Sequence, residues 1–383
     1  MNMNSDFSND FPTGGKIYLN NASVSINPLD CINSMHDFLV SYNALGPDSL
    51  ESQPFVTNQL RDTRKIISQI IKCQPEEIIF TQSTTDGVNA VANGMNFQPS
   101  SNLIIRGLSH EHHANYYPWL RLSKKLEIKN LKVDNNGFFQ INELKHLIDN
   151  NTSLVALSHA LYNTGTILPV EEVGEILDKQ NIPYFLDTAQ TIGCIGDFDV
   201  SKTKCNFMSF NGSKWLCGPM GTGLFYCRKD SAQLLEPMNI GGESVMIYDE
   251  TKLAFKDIPD RFQTGFRNYV GMAGLEASAK YLIGFGMENI RKKVMNLANQ
   301  LRTELSKIPN VTLYGPNETE QRTSIVSFNI KNQEPSLIVE KLEKKNIILA
   351  VREISEEKLI RASPHFFNSE EQIEILLNEL RKL

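Results

Sequence analysis

Thiols are few in this sequence and stop early. The 383-residue chain has six cysteines, Cys31, Cys73, Cys194, Cys205, Cys217 and Cys227, and none beyond. None forms a CxxC pair and their spacing fits no zinc site, so no metal is expected. No apolar run reaches the roughly 20 residues that cross a bilayer. The first residues, MNMNSDFSND, are polar and acidic, unlike a secretory signal. Lys and Arg form no stripe and the net charge is −6, which speaks against nucleic acid or a membrane surface as partner. Internal repeats and low-complexity linkers are lacking too. With 41% hydrophobic and 21% charged residues, the composition excludes a disordered, collagen-like or coiled-coil chain. The expectation is a reduced, cytoplasmic globular protein of two or three domains at about 150 residues each.

What is present is alternation. Between about residues 60 and 230, strand-length apolar runs (77–80, 102–106, 126–132, 154–158, 183–187, 207–210, 222–226) alternate with amphipathic stretches (59–72, 85–94, 115–125, 141–148, 170–179). This predicts an α/β fold with a mostly parallel sheet flanked by helices. A long helical stretch, 271–307, leaves that sheet. A smaller α/β region follows, with strands at 311–314, 324–330, 347–352 and 358–362 and helices at 335–345 and 370–381. Ser369 and Gln372 make a capping box for the last helix.

Five segments could carry chemistry. SFNGSKWLCGPMGTG (209–223) places Lys214 in a glycine-rich loop after a strand. A lysine desolvated there can lose its proton and attack a carbonyl; alternatively it is a surface lysine. PYFLDTAQ (183–190) ends a strand in Asp187, with Gln190 three residues on. Ligands of parallel sheets sit beyond the carboxyl ends of strands, although Asp187 could simply cap a helix. FTQSTTDGVNAV (80–91) opens a helix with Ser83, Thr84 and Thr85, which suits a phosphate or plain capping. SHEHHANYYPW (109–119) holds His110, His112 and His113. A metal cluster, a single imidazole stacked on a flat ligand, or solvated side chains are all open. KLIRASPHFFN (358–368) sets Arg361 in an apolar strand, where a guanidinium suits a carboxylate or a surface ion pair.

Together a lysine, a strand-end Asp, an anion site, a stacking His and a carboxylate-binding Arg describe pyridoxal 5'-phosphate beside an amino-acid substrate. The lysine would form a Schiff base and the Asp would keep the pyridine nitrogen protonated.

From IYLNNASVS (17–25) to RASPHFFNSEEQI (361–373), the order of these segments resembles the class V aminotransferase family, which includes cysteine desulfurases, cystine lyases and selenocysteine lyases. The resemblance implies a fold-type-I architecture: a large cofactor domain (17–270), a small C-terminal domain (271–383) joined by segment 1–16, and a homodimer with shared active sites. It implies Lys214 as Schiff-base lysine, Asp187 at the pyridine nitrogen, Gln190 at the phenolic oxygen, His112 stacked on the ring, Thr84 and Thr85 at the phosphate, and Arg361 at the substrate carboxylate. Several positions depart from the desulfurase pattern. The family's Ser-Gly-His-Lys is Asn211-Gly212-Ser213-Lys214, in which Ser213 can still donate to phosphate. An Asn near the phenolic oxygen is replaced by Tyr162. A threonine that reaches the partner subunit's phosphate is replaced by Phe266, followed by Arg267, which could supply that contact.

The largest departure is in the interval from Arg352 to Arg361, EISEEKL with its flanks. Desulfurases carry there the cysteine that attacks the substrate sulfur; here the interval is short and has none. The expected reaction is therefore C–S β-elimination from cystine or another cysteine-derived amino acid, with Lys214 as general base. The alternatives are an aminotransferase or epimerase, an atypical cysteine desulfurase, or a non-catalytic or metal-binding partner protein. Loops 43–56 and 241–257 are expected to set specificity.

Overall fold

The structure, a computed structural model, describes residues 7, 9–248 and 252–383. Seven strands form the larger sheet: β1 (Ile78–Thr81), β2 (Asn102–Arg106), β3 (Glu127–Leu131), β4 (Thr152–Ser158), β5 (Tyr184–Asp187), β6 (Phe207–Asn211) and β7 (Gly223–Cys227). Their spatial order is β1-β7-β6-β5-β4-β2-β3. The pairs β2–β3, β2–β4, β4–β5 and β5–β6 are parallel, whereas β7 runs antiparallel to both β1 and β6. The apolar runs are continuous because both faces are covered. Val155 and Leu157 feed one hydrophobic cluster, Leu154 and Ala156 the other. Tyr184 and Leu186 part from Phe185 in the same way, as the two-residue strand period demands.

Helices α1 (Leu29–Leu45), α2 (Ser52–Ile71), α3 (Thr84–Gly94), α4 (Val170–Asp178), α5 (Tyr269–Phe285) and α6 (Met287–Leu305) follow the chain. The stretch read as one helical run from 271 is two helices, parted at Gly286 with φ +95°. The 115–125 segment holds only a four-residue helix, Tyr117–Leu120, between 3₁₀ turns.

A second sheet contains β8 (Val311–Tyr314), β9 (Val326–Ile330), β10 (Ala350–Ile354) and β11 (Glu357–Ala362), ordered β8-β9-β11-β10 and antiparallel throughout. Helices α6, α7 (Pro335–Glu343) and α8 (Glu370–Leu380) cover it through Leu301, Ile338 and Leu376. The capping box at Ser369 and Gln372 forms as the spacing predicts. The 347–352 run splits, because Ile347–Ile348 pairs in parallel with Ile17–Tyr18 before β10 begins. Just before that pairing, Phe7 and Phe11 pack into the larger core; just after it, Leu19 packs into the smaller one. In the β10–β11 hairpin Ile354 faces Glu357, so only Ser355 and Glu356 turn the chain. The tip rests on the larger unit: Ser355 N–H donates to the Ser109 carbonyl at 3.4 Å, and Asn163 Nδ2 to the Glu353 carbonyl at 3.0 Å. In the 241–257 loop, residues 249–251 lie outside the described residues.

Candidate active site

The carboxyl ends of β1, β4, β5 and β6 converge on one cleft, lined by Thr84, Thr85, His112, Tyr162, Asp187 and Lys214 among others. At its floor α3 starts. Ser83 Oγ accepts from the Asp86 N–H at 3.2 Å, which leaves the first-turn N–H groups of Thr84 and Thr85 for an anion. Gly223 on β7 permits this approach, since a Cβ there would lie 2.2 Å from the Ser83 nitrogen. Asn211 Nδ2 donates to Thr84 Oγ1 at 3.2 Å.

Asp187 is buried at the end of β5. Burial pushes its carboxyl up to about 6, against the Ala189 N–H donated to Oδ1 at 2.9 Å and the charge of Lys214. Lys214 is pushed down to about 8, first by desolvation and then by Arg361 and Arg352, with Asp187 opposing. A poorly solvated amine of this kind is a usable base and nucleophile at neutral pH. Three residues on, Cys217 packs its thiol at 3.4 Å from both Ser25 Oγ and His365 Nε2, and burial holds it neutral.

The three histidines of the 109–119 segment diverge. His110 is buried, with Nε2 3.2 Å from the Asn135 carbonyl. His113 stacks on Tyr117, ring centroids 4.7 Å apart. Only His112 lines the cleft. Its Nδ1 accepts from the Ala114 N–H at 3.1 Å, and its ring meets Tyr162 edge-on at 4.8 Å. The residue is exposed, yet desolvation within the cleft and then Lys214 and His113 push the imidazole down to about 4. A neutral ring suits stacking. Beneath it lies a buried pair that sequence reading missed. Arg106 Nη1 sits 3.3 Å from Glu111 Oε2, while Glu111 Oε1 accepts from the His112 N–H at 2.9 Å and from Ser158 Oγ at 2.5 Å.

Gln190 stands in the cleft wall, but its amide is engaged. Nε2 donates to the Ala22 carbonyl at 2.9 Å and Oε1 accepts from Trp215 Nε1 at 2.8 Å. Ser213 is not among the cleft-lining residues; its carbonyl accepts from the Ser25 N–H at 2.8 Å. Arg267 lies outside this cleft, hydrogen-bonded to Gln263 and paired with Glu243.

Arg361 is buried on β11. Nη1 donates to the Tyr162 carbonyl at 2.6 Å, and Nη2 to Ser23 Oγ at 2.7 Å. Arg352, across the hairpin on β10, donates Nη1 to the Val351 carbonyl at 2.6 Å and Nη2 to the same Ser23 hydroxyl. Among the described residues neither guanidinium has a carboxylate partner. Burial and then Arg352 hold Arg361 well below the usual guanidinium range.

The donor set fits pyridoxal 5'-phosphate. Helix N–H groups and hydroxyls suit its phosphate, the buried Asp187 its ring nitrogen, the Lys214 amine its carbonyl and His112 its ring face. Fold and site together define a pyridoxal-phosphate enzyme of fold type I. The aminotransferase class-V family matches residues 17–376, and the chain belongs to it. It is 30% identical to a probable cysteine desulfurase of Methanothermobacter thermautotrophicus over 96% of this chain and 94% of that one. With a probable cysteine desulfurase of Pyrococcus abyssi it shares 29% identity over 100% and 98% of the two chains. An apo cysteine desulfurase structure from Thermococcus onnurineus NA1 superposes with a TM-score of 0.93 at 27% identity, covering 100% of this chain and 98% of that one. The cystine C–S lyase C-DES, in complex with its product cysteine persulfide, superposes with a TM-score of 0.90 at 23% identity (97% and 99% covered), a likeness of fold.

Proposed function

We propose that this enzyme is a C–S β-lyase acting on cystine or another cysteine-derived amino acid, without a persulfide-forming cysteine of its own. The supporting observation is the β10–β11 hairpin. It carries two guanidiniums without carboxylate partners among the described residues, and its two-residue turn contains no thiol. Arg361 binds the α-carboxylate and orients Cα–H toward Lys214. Arg352 takes the distal carboxylate that cystine carries. The Lys214 amine, poised near neutral pH, removes the α proton. Pyridoxal phosphate, when bound, supplies the electron sink for the charge left on Cα. Asp187 holds the proton at the ring nitrogen, Thr84 and Thr85 hold the phosphate with Asn211 behind them, and His112 covers the ring face. Ser213 is assigned as a further phosphate donor, Gln190 as a neighbour of the phenolic oxygen through the Nε2 proton that the Ala22 carbonyl does not take, and Tyr162 borders the substrate. Cleavage of the β C–S bond and hydrolysis give pyruvate, ammonia and cysteine persulfide.

The reading extends to a cytoplasmic homodimer of large (17–270) and small (271–383) domains, with Arg267 serving the partner subunit's phosphate. Supporting this, Phe266 beside Arg267 is 76% exposed, and a cavity of about 550 Å³ separates Thr264–Asn268 from α3. A second reading, an atypical cysteine desulfurase, is favoured by the names of the relatives. Incubation with cystine and with cysteine decides between them. Pyruvate from cystine supports the lyase; alanine from cysteine, with its sulfane sulfur read as sulfide after reduction by an added thiol, supports the desulfurase; neither product points to transamination or epimerisation.

A further inference from the structure

We propose that Ser23 is a specificity-determining residue. Its hydroxyl holds the guanidiniums of Arg352 and Arg361 at a fixed separation, so that each takes its own carboxylate and the site selects dicarboxylic amino acids. This rests on the lyase reading above, in which the substrate carries two carboxylates.

A serine hydroxyl has one proton and two lone pairs. At Ser23 all three are committed. The proton goes to Asn20 Oδ1 at 2.6 Å, and the lone pairs accept from Arg361 Nη2 at 2.7 Å and from Arg352 Nη2. Each guanidinium is fixed at its other end by a backbone carbonyl, Tyr162 for Arg361 and Val351 for Arg352. Ser23 is itself fixed, because its N–H donates to the Asn20 carbonyl at 3.0 Å and the next carbonyl, of Val24, accepts from Tyr18 at 2.7 Å. Two like charges converge on one neutral oxygen, with no anion between them among the described residues. A hydroxyl wedged there stops both guanidiniums from closing on a single carboxylate. Arg361, buried and outside the cleft lining, keeps Nε without a partner among the described residues, the donor that the first carboxylate would take. Without the Ser23 oxygen, repulsion moves Arg352 away, and the second carboxylate loses its place.

The test uses two unreactive ligands and the holoenzyme. One is 2-aminosuberate, the cystine frame with CH2–CH2 in place of the disulfide and without the distal amine; the other is 2-aminoheptanoate, which differs from it only by lacking the distal carboxylate. Calorimetry gives Kd for each with wild type, Ser23→Ala and Ser23→Thr. Wild type should bind the dicarboxylate about thirtyfold more tightly. Ser23→Ala should bring that ratio below about threefold with the aminoheptanoate Kd little changed, and Ser23→Thr, which keeps the hydroxyl, should restore it. If wild type prefers neither ligand, the dicarboxylate reading falls and this inference with it. If wild type discriminates and Ser23→Ala still does so, Ser23 does not set specificity while the lyase reading stands. Equal weakening for both ligands in Ser23→Ala also overturns it.

Discussion

The Trp215 indole donates to Gln190 Oε1 at 2.8 Å, one residue beyond Lys214. Gln190 passes the connection to the Ala22 carbonyl, and the Ala22 N–H donates to Ser363 Oγ at 3.0 Å, two residues beyond Arg361. A buried chain thus ties the lysine loop to the arginine strand. Trp215→Phe leaves Gln190 Oε1 without its donor and should cost about 1–3 kcal/mol. A urea titration reads it, and an unchanged midpoint would show that Gln190 finds another partner.

Lys214 should react before the other lysines. An amine held at about 8 is half neutral at that pH, whereas an ordinary lysine is less than about 1% neutral there. Amine-specific labelling of the apoenzyme, followed by peptide mapping, should show Lys214 modification rising through pH 8. A profile matching surface lysines would refute its depressed basicity. Lys214→Ala should also abolish the borohydride-sensitive visible absorption of the holoenzyme.

Arg361→Ala should raise KM strongly with the cofactor spectrum intact, because the guanidinium contacts Tyr162 and Ser23 rather than the phosphate loop. Complete loss of cofactor would show that Arg361 has another task. Arg352→Ala should raise KM for cystine at least about tenfold more than for a monocarboxylic cysteine disulfide.

Gly223→Ala should weaken cofactor binding. The added methyl would meet the Ser83 nitrogen at 2.2 Å and Thr81 Oγ1 at 2.4 Å, and α3 must retreat from the cleft. Equilibrium dialysis of pyridoxal phosphate should show Kd raised at least about tenfold; an unchanged Kd would mean that the phosphate sits elsewhere.

Acid should destabilise the fold through two buried imidazoles. Burial pushes His159 down to about 4 and His365 to about 3. In the unfolded chain both protonate near pH 6.5, so below that pH the unfolded state binds protons that the folded state refuses. Stability should fall by about 1.4 kcal/mol per pH unit for each group between about pH 6.5 and 4, with no slope from them above pH 7. In urea titrations at pH 7, 6 and 5, His159→Leu should have the shallower dependence. Equal slopes would mean that His159 is protonated in the fold.

Much of this was legible in the chain. The parallel strands show as apolar runs because both faces are covered, and Asp187 and Lys214 stand out as polar residues where such runs end. Helix α1 escaped because LDCINSMHDFLVSYNAL interleaves polar and apolar residues without a clean stripe. The Arg106–Glu111 pair escaped because two charges in a polar segment look solvated until the fold buries them. Ser23 and Arg352 are 329 positions apart, and no local pattern announces that they meet. Gln190 shows the opposite limit: its place in the cleft follows from spacing, whereas its commitment to Trp215 depends on packing between distant segments.

The two-residue turn at Ser355 and Glu356 marks where this scaffold could be retooled. Strands β10 and β11 are already in register on either side of it, and the entropy cost of closing a flexible loop grows only slowly with its length. A longer arm, with a cysteine at its tip, could be spliced at this turn with the paired strands left in register.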